Sequence, residues 1–304
     1  MKQFLRSVLS GISYRSIQIE DVNDPDRYRG IRMLMYHRVI DAHPKSRLCV
    51  PVARFAEQMR WLHEHSYRTA TMSLLLSHAQ IGTFSGRPTI VISFDDGYGD
   101  NYFNASPVLA QYGFTGVFFV PTGFIDAGEQ GTEPVHSPLA RKSCGTRVPQ
   151  GTAEAADRPM TWDQIKALSI EGHEIGAHSV THRKLTLLSR DDAQWELRES
   201  KRVLEERLGK TVRFFCYPNG QCNDEVKQLT REAGYEAACT VEPGSNIRGM
   251  DPFSMKRTEV SAFDSIYDFE KKLAGAYDWM HVAAQRVYRW MPASRRQPSN
   301  ATRK

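Results

Sequence analysis

Apolar residues along this chain fall into two kinds of block that take turns. Short runs rich in Val, Ile and Phe, at 31–36, 89–94, 115–120, 173–177, 212–217, 236–240 and 256–260, have the length of buried strands. Between them, near 52–64, 101–112, 162–170, 190–208, 223–233 and 264–278, apolar residues recur at helical spacing. The best-marked helix follows Ser189, where Asp192 stands three residues on as an acidic capping partner. Its Ala193, Leu197, Leu204 and Leu208 share one face, and Gly209 supplies a stop. Thr161 with Gln164 marks another start, and Gly113 and Gly234 each close a helix just before a strand. The alternation predicts an α/β fold of parallel strands joined by right-handed crossovers. Seven strands can close as a barrel or lie open as a doubly wound sheet, and both gather ligands at the carboxyl ends of their strands.

One segment breaks the rhythm. Residues 127–160 are polar, rich in Gly, Pro and charge, and long for a connection inside a domain, which suits either a lid or a disordered insertion. The expected organisation is an N-terminal extension (1–30), a main domain (31–280) carrying that insertion, and a basic C-terminal tail (281–304). Of 304 residues, 40% are apolar and 25% charged, which is ordinary globular composition. The formal charge is only +5, and the tail concentrates Arg286, Arg289, Arg295, Arg296, Arg303 and Lys304 beside Tyr288, Trp290 and Met291. Such a tail is either a solvated terminus or a peripheral contact for an anionic membrane face; no nucleic-acid partner is expected. Arg6 interrupts the start of the chain, which makes a poor secretory signal, and no run approaches the ~20 apolar residues that span a bilayer. Five cysteines, at 49, 144, 216, 222 and 239, show no framework, and an odd count suits a reducing compartment. The expectation is a soluble cytoplasmic protein.

The chemistry-bearing residues stand at strand exits. His37, Asp95 with Asp96, His178, and Tyr217 with Pro218 each end a different strand candidate, which points to one shared site. Asp95-Asp96-Gly97 alone is a common turn, and His178-x-x-x-His182 alone suits a solvated helix face. Together they offer two imidazoles and a carboxylate, a catalytic zinc set that leaves a position open for water. The second carboxylate is then free to act as a base. Spacing by four lets both imidazoles point one way on a helical turn, and Gly97 permits a sharp bend behind Asp96.

Phe94-Asp95-Asp96-Gly97 and His178-Ser179-Val180-Thr181-His182 resemble the first two motifs of the polysaccharide deacetylases, carbohydrate esterase family four with its NodB homology domain. The resemblance runs from about Arg32 to about Phe269. The opening Leu34-Met35-Tyr36-His37-Arg38-Val39 is similar to the branch found with exopolysaccharide synthesis. It implies a distorted (β/α)7 barrel, with Asp96, His178 and His182 holding a divalent metal, usually Zn2+, and Asp95 as general base. Ser179 matches a residue that braces the histidine loop by a hydrogen bond. Phe215-Cys216-Tyr217-Pro218-Asn219-Gly220 falls at the third motif, whose Tyr217, Pro218 and Asn219 form a groove wall, the Asn219 N–H facing the oxyanion.

The chain departs from the family pattern in two places. Cys216 stands where an arginine often orients the base, and Arg257 in the last strand candidate is the expected substitute. The late leucine-histidine motif that supplies the acid has no match; His281 reads as structural, and His37 becomes the candidate acid or substrate contact. Cys216 and Cys222 read as buried small residues. Trp162 and Tyr98 suit either sugar stacking or the core, and Asn101 suits a helix cap. The function these residues imply is metal-dependent removal of N-acetyl groups from amino-sugar units of a polysaccharide or its lipid-linked precursor. An O-acetyl esterase, a small-amide hydrolase, or a catalytically silent glycan-binding protein are the alternatives.

Overall fold

Every residue of the first strand, β1 (Ile31–Tyr36), is buried, because β1 has neighbours on both edges. The computed structural model describes residues 30–41, 44, 46–81, 87–130 and 156–278. After β1 come β2 (Arg38–Ile40), β3 (Cys49–Pro51), α1 (Val52–Glu64), β4 (Arg68–Thr69), α2 (Met72–Ile81) and β5 (Thr89–Phe94). A π-helical turn over Asn101–Ala105 runs into α3 (Ser106–Gln111), followed by β6 (Val117–Val120) and α4 (Thr122–Glu129). Then follow α5 (Trp162–Ile170), β7 (Glu174–Ala177), α6 (Arg190–Leu208), β8 (Phe214–Cys216) and α7 (Asp224–Glu232). The described chain ends with β9 (Ala237–Cys239), β10 (Ser245–Asn246), β11 (Thr258–Glu259) and α8 (Ile266–Leu273).

The strands β1, β5, β6, β7, β8 and β9 pair in parallel, in that order. Cys239 then bridges in parallel to Met255, and β11, just beyond, pairs in parallel with β1 through Leu34↔Thr258. The sheet thus curls into a ring of seven parallel segments, a distorted (β/α)7 barrel closed through a single bridge. Period-two alternation divides its faces. Met33, Val91, Val117, Phe119, Phe214, Cys216, Ala237 and Cys239 form the inner cluster. Leu34, Ile92, Phe118, Ile175, Phe215 and Ala238 face the helices, packing with Phe55, Leu109, Ile165, Leu197 and Leu229.

Local signals set the helix ends. Ser189 accepts the Asp192 N–H at the start of α6, and Gly209 closes it in the left-handed region at φ 65°. Thr161 and Gln164 form a reciprocal capping box on α5. Helices α2 and α4 lay outside the sequence expectation. The stretch expected as an insertion, 127–160, is described only at its two ends. Gly128 and Glu129 still belong to α4, while Met160 N–H donates to Gly97 O (2.9 Å) and Gly99 N–H to Arg158 O (2.7 Å). Residues 1–29, the basic tail over 281–304, and His281 lie outside the described residues.

Cys49 is disulfide-bonded, while Cys216, Cys222 and Cys239 are free thiols. Among the described residues, no helix is long and apolar enough to cross a membrane.

Candidate active site and metal centre

At the end of β5 the ladder to β1 continues for one more residue, Asp95 N–H donating to Tyr36 O at 3.0 Å. The backbone then turns left-handed at Asp96 (φ 74°) and Gly97 (φ 67°). That reversal sends the two carboxylates to different partners. Asp95 goes to the barrel interior, where the wholly buried Arg257 grips it with Nη1 to Oδ1 at 2.6 Å and Nη2 to Oδ2 at 2.8 Å. Asp96 goes to the histidines. Its Oδ1 lies 3.6 Å from His178 Nε2 and 3.2 Å from His182 Nε2.

The histidines reach Asp96 from the exit of β7. His178 N–H donates to Val120 O, and Nδ1 lies 2.7 Å from Cys216 O. A carbonyl can only accept, so Nδ1 carries the proton and Nε2 presents a lone pair to Asp96. The loop to His182 is not the helical turn that four-residue spacing suggested. Ser179 (φ 64°) and His182 (φ 57°) are left-handed, and the Ser179 hydroxyl accepts the His182 N–H at 2.9 Å. Among the described residues, five non-glycines have positive φ, and Asp96, Ser179, His182 and Asn219 are four of them. Backbone in that region costs on the order of 1–3 kcal/mol per residue and is kept where geometry matters.

The site suits a cation. Asp96 Oδ1 is buried and makes no hydrogen bond, although two ring nitrogens face it. Ligand atoms of Asp96, His178 and His182 lie within 4.8 Å of one another. Burial, then the neighbouring His182, pushes His178 down to about 4, so its imidazole is neutral, the form that coordinates a metal. Burial works to raise Asp96, but His182, His37 and His178 together hold it well below the ordinary carboxylate range. Asp95, His178 and Cys216 form a second group of similar compactness. There Arg257 already occupies both Asp95 oxygens with positive charge, and the Cys216 thiol is pushed up by burial, so a cation is disfavoured.

Asp95 is held as a carboxylate. Burial works to raise it, and Arg257, then His178, bring it below its ordinary value. Cys216 belongs to this arrangement: Arg257 Nη2 lies 3.0 Å from its Sγ, which is 3.7 and 3.8 Å from the Asp95 oxygens. Arg257 Nε donates to Thr240 O at 2.8 Å, fixing the fork in place.

His37, at the exit of β1, carries a buried Nδ1 with no hydrogen-bond partner, and it is among the groups that lower both Asp95 and Asp96. Asn101 does not cap a helix. Its Nδ2 donates to His37 O at 2.8 Å and to Asp100 Oδ1 at 2.9 Å, tying the π-turn to the end of β1. The Tyr217 side chain is not a groove wall: it is buried among the helices, its hydroxyl donating to Phe253 O at 3.2 Å. Pro218 is buried too, and Asn219 is exposed in a left-handed turn (φ 57°), so this segment meets solvent through Asn219. Tyr98 is buried beneath Arg38 (4.7 Å), and buried Trp162 donates to Asp126 Oδ1, so neither ring is open to a sugar.

Two supports had no place in the sequence reading. Asp100, wholly buried, accepts from Arg38 Nε (2.7 Å) and Val39 N–H (2.9 Å), anchoring the segment after His37. Glu196, also buried, accepts from the loop between the histidines. Its signal was present: an acid on the apolar stripe of α6, between Ala193 and Ser200.

The family model for polysaccharide deacetylase matches residues 84–238. The chain belongs to the polysaccharide deacetylase family. Among its relatives, YxkH of Bacillus subtilis (strain 168), named after this family, is 28% identical over 232 residues, 75% of this chain and 71% of that protein. The poly-beta-1,6-N-acetyl-D-glucosamine N-deacetylase of Staphylococcus aureus is 26% identical over 207 residues. That match covers 65% of this chain and 64% of the relative, so this chain spans under two thirds of that protein. The fold is shared with Streptococcus pyogenes deacetylase PplD in complex with acetate (TM-score 0.67, 20% identity, 80% of this chain and 98% of that one). It is also shared with IcaB from Ammonifex degensii (TM-score 0.64, 22% identity, 82% and 97%).

Proposed function

We propose that this polysaccharide deacetylase is a metal-dependent hydrolase that removes N-acetyl groups from amino-sugar units of an exopolysaccharide or its lipid-linked precursor. The observation that carries this reading is the division of the aspartate pair. Asp96 faces two imidazole nitrogens with an orphaned buried oxygen, while Asp95, one residue away, has both oxygens bound to Arg257. The relative named for poly-beta-1,6-N-acetyl-D-glucosamine supports the choice of an amino-sugar polymer. In this reading the catalytic unit is 31–280, flanked by 1–30 and 281–304.

A divalent ion such as Zn2+ held by Asp96, His178 and His182 would supply a Lewis acid for the acetyl carbonyl and a water of lowered pKa. Asp95 is the group that takes a proton from the attacking water as the water oxygen adds to the carbonyl carbon. Arg257 keeps the carboxylate aimed and ionised, and acts as a positioning residue. The Asn219 N–H lies on the turn expected to meet the oxyanion; one such donor is commonly worth about 10²–10³ in rate. His37, on the same rim, gives a proton to the departing sugar nitrogen as the C–N bond breaks, leaving acetate and a free amine.

Acetate release from β-1,6-linked N-acetylglucosamine oligomers, with zinc restored after chelation, tests this reading. Release that depends on zinc and exceeds that from acetylated xylan is the expected result. Oligomer binding without acetate release, unchanged by chelation, would overturn it.

A further inference from the structure

The loop between His178 and His182 is held from both sides by residues outside it. From one side, the first turn of α4 donates to its carbonyls: Thr122 N–H to Ser179 O at 3.2 Å, and Gly123 N–H to Val180 O at 3.0 Å. A side chain at Gly123 would meet Val180 O at 2.8 Å, so the approach of these two backbones needs glycine. From the other side, the Glu196 carboxylate of α6 collects the loop's donors. Its Oε2 accepts from Val180 N–H at 2.8 Å and Thr181 N–H at 2.9 Å, and its Oε1 from the Thr181 hydroxyl.

Glu196 is buried on the apolar stripe of α6, beside Ala193, Leu197 and Ser200. A carboxylate there has no solvent to turn to, so its oxygens are committed to the loop. The loop needs such an anchor, because Ser179 and His182 are both left-handed and nothing in their own conformational preference holds them there. Without Glu196, the Val180 and Thr181 donors would be free to relax toward other partners, and His182 would follow. The two-sided grip fixes the spacing of the imidazoles in the metal-free chain.

Resting on the metal-centre reading above, we infer that Glu196 is a positioning residue that pre-sets the two histidines for a divalent cation. It touches neither the cation nor substrate, and acts through Val180 and Thr181. Outer-shell partners of this kind are typically worth 10–100-fold in metal affinity.

The test measures zinc affinity by competition with a chromophoric chelator in the full chain, alongside amide exchange over the 178–184 segment of the metal-free protein. Glu196→Gln is expected to raise the zinc Kd by about tenfold or more and to speed exchange of that segment. Thr181→Val removes one donor only and spares the buried carboxylate; it should raise the Kd in the same direction by a smaller factor and keeps the test open should Glu196→Gln fail to fold. Glu199→Gln, on the outer face of α6, should leave both readouts unchanged. Folded variants that bind zinc within twofold of the parent would overturn the inference. A parent chain that binds no zinc would instead overturn the metal-centre reading.

Discussion

Arg257 and Asp95, separated by 162 residues, meet in the barrel interior through two parallel charge-assisted hydrogen bonds of 2.6 and 2.8 Å. Both side chains are cut off from water, so each is the other's principal counter-charge. Removing one member of a buried pair costs about 3–5 kcal/mol, because the survivor stays charged and unpaired. Arg257→Met is therefore expected to lower the melting temperature and to reduce kcat/KM by about 10² or more. Arg257 Nη2 lies 3.0 Å from Cys216 Sγ, so a longer side chain at 216 starts beside the vacated space. Adding Cys216→Arg to Arg257→Met should return activity about tenfold, or ~1.4 kcal/mol, over the single variant. A double variant no better than Arg257→Met would show that the guanidinium must come from position 257, just before β11.

The aspartates should separate cleanly in a paired measurement of metal content and turnover. Asp95→Asn keeps all three proposed ligands and loses the base, so zinc stoichiometry stays at the parent value while acetate release falls by about 10²–10⁴. Asp96→Asn removes the carboxylate that faces both imidazoles at 3.6 and 3.2 Å, and zinc is lost with activity. Zinc loss from Asp95→Asn, with retention by Asp96→Asn, would reverse the assignment.

What the chain displays and what it hides follow from how each residue reaches the site. Asp95, Asp96 and His178 were legible because each stands at the exit of an apolar run, and a parallel sheet gathers such exits on one rim. The seven strand candidates likewise contain the seven ring segments, since buried parallel strands read as unbroken apolar runs. Tyr217 is turned away from the rim by strand parity across β8. Phe214 and Cys216 face inward with Asp95, so Phe215 and Tyr217 must face the helices. Arg257 could be named from its place in the last strand candidate, while closure of the ring through Met255 brings it to Asp95. Glu196 and Asp100 act through backbone amides of other segments, a role that spacing along the chain does not encode.

His37 can be tested through the leaving group. A sugar amine leaves poorly unless protonated, whereas 4-nitrophenolate needs no acid. His37→Gln should lose about 10²–10³ in kcat on N-acetylglucosamine oligomers and keep most of its rate on 4-nitrophenyl acetate. Equal losses on both substrates would instead assign His37 to binding or to support of the aspartate pair.

Stability should depend on pH through a histidine at the opposite end of the barrel. His173 is buried, its Nδ1 accepting the Gly116 N–H at 3.0 Å and its Nε2 lying 3.2 Å from Ser106 Oγ. Protonation would set an N–H against an N–H, and burial accordingly lowers the folded-state pKa, only partly offset by Glu171 at 3.9 Å. The unfolded chain takes up this proton near the ordinary histidine value of about 6.5, before the folded chain does. The contribution of His173 is thus complete above that value and shrinks as pH falls toward the lowered folded pKa, by at most ~1.4 kcal/mol per pH unit. His173→Asn offers Oδ1 to the Gly116 N–H without a titrating ring. Urea unfolding at pH 5.0, 6.0 and 7.5 should show the parent losing stability more steeply than the variant as pH is lowered. Parallel pH profiles would mean that His173 accepts its proton in the folded chain as easily as in the unfolded one.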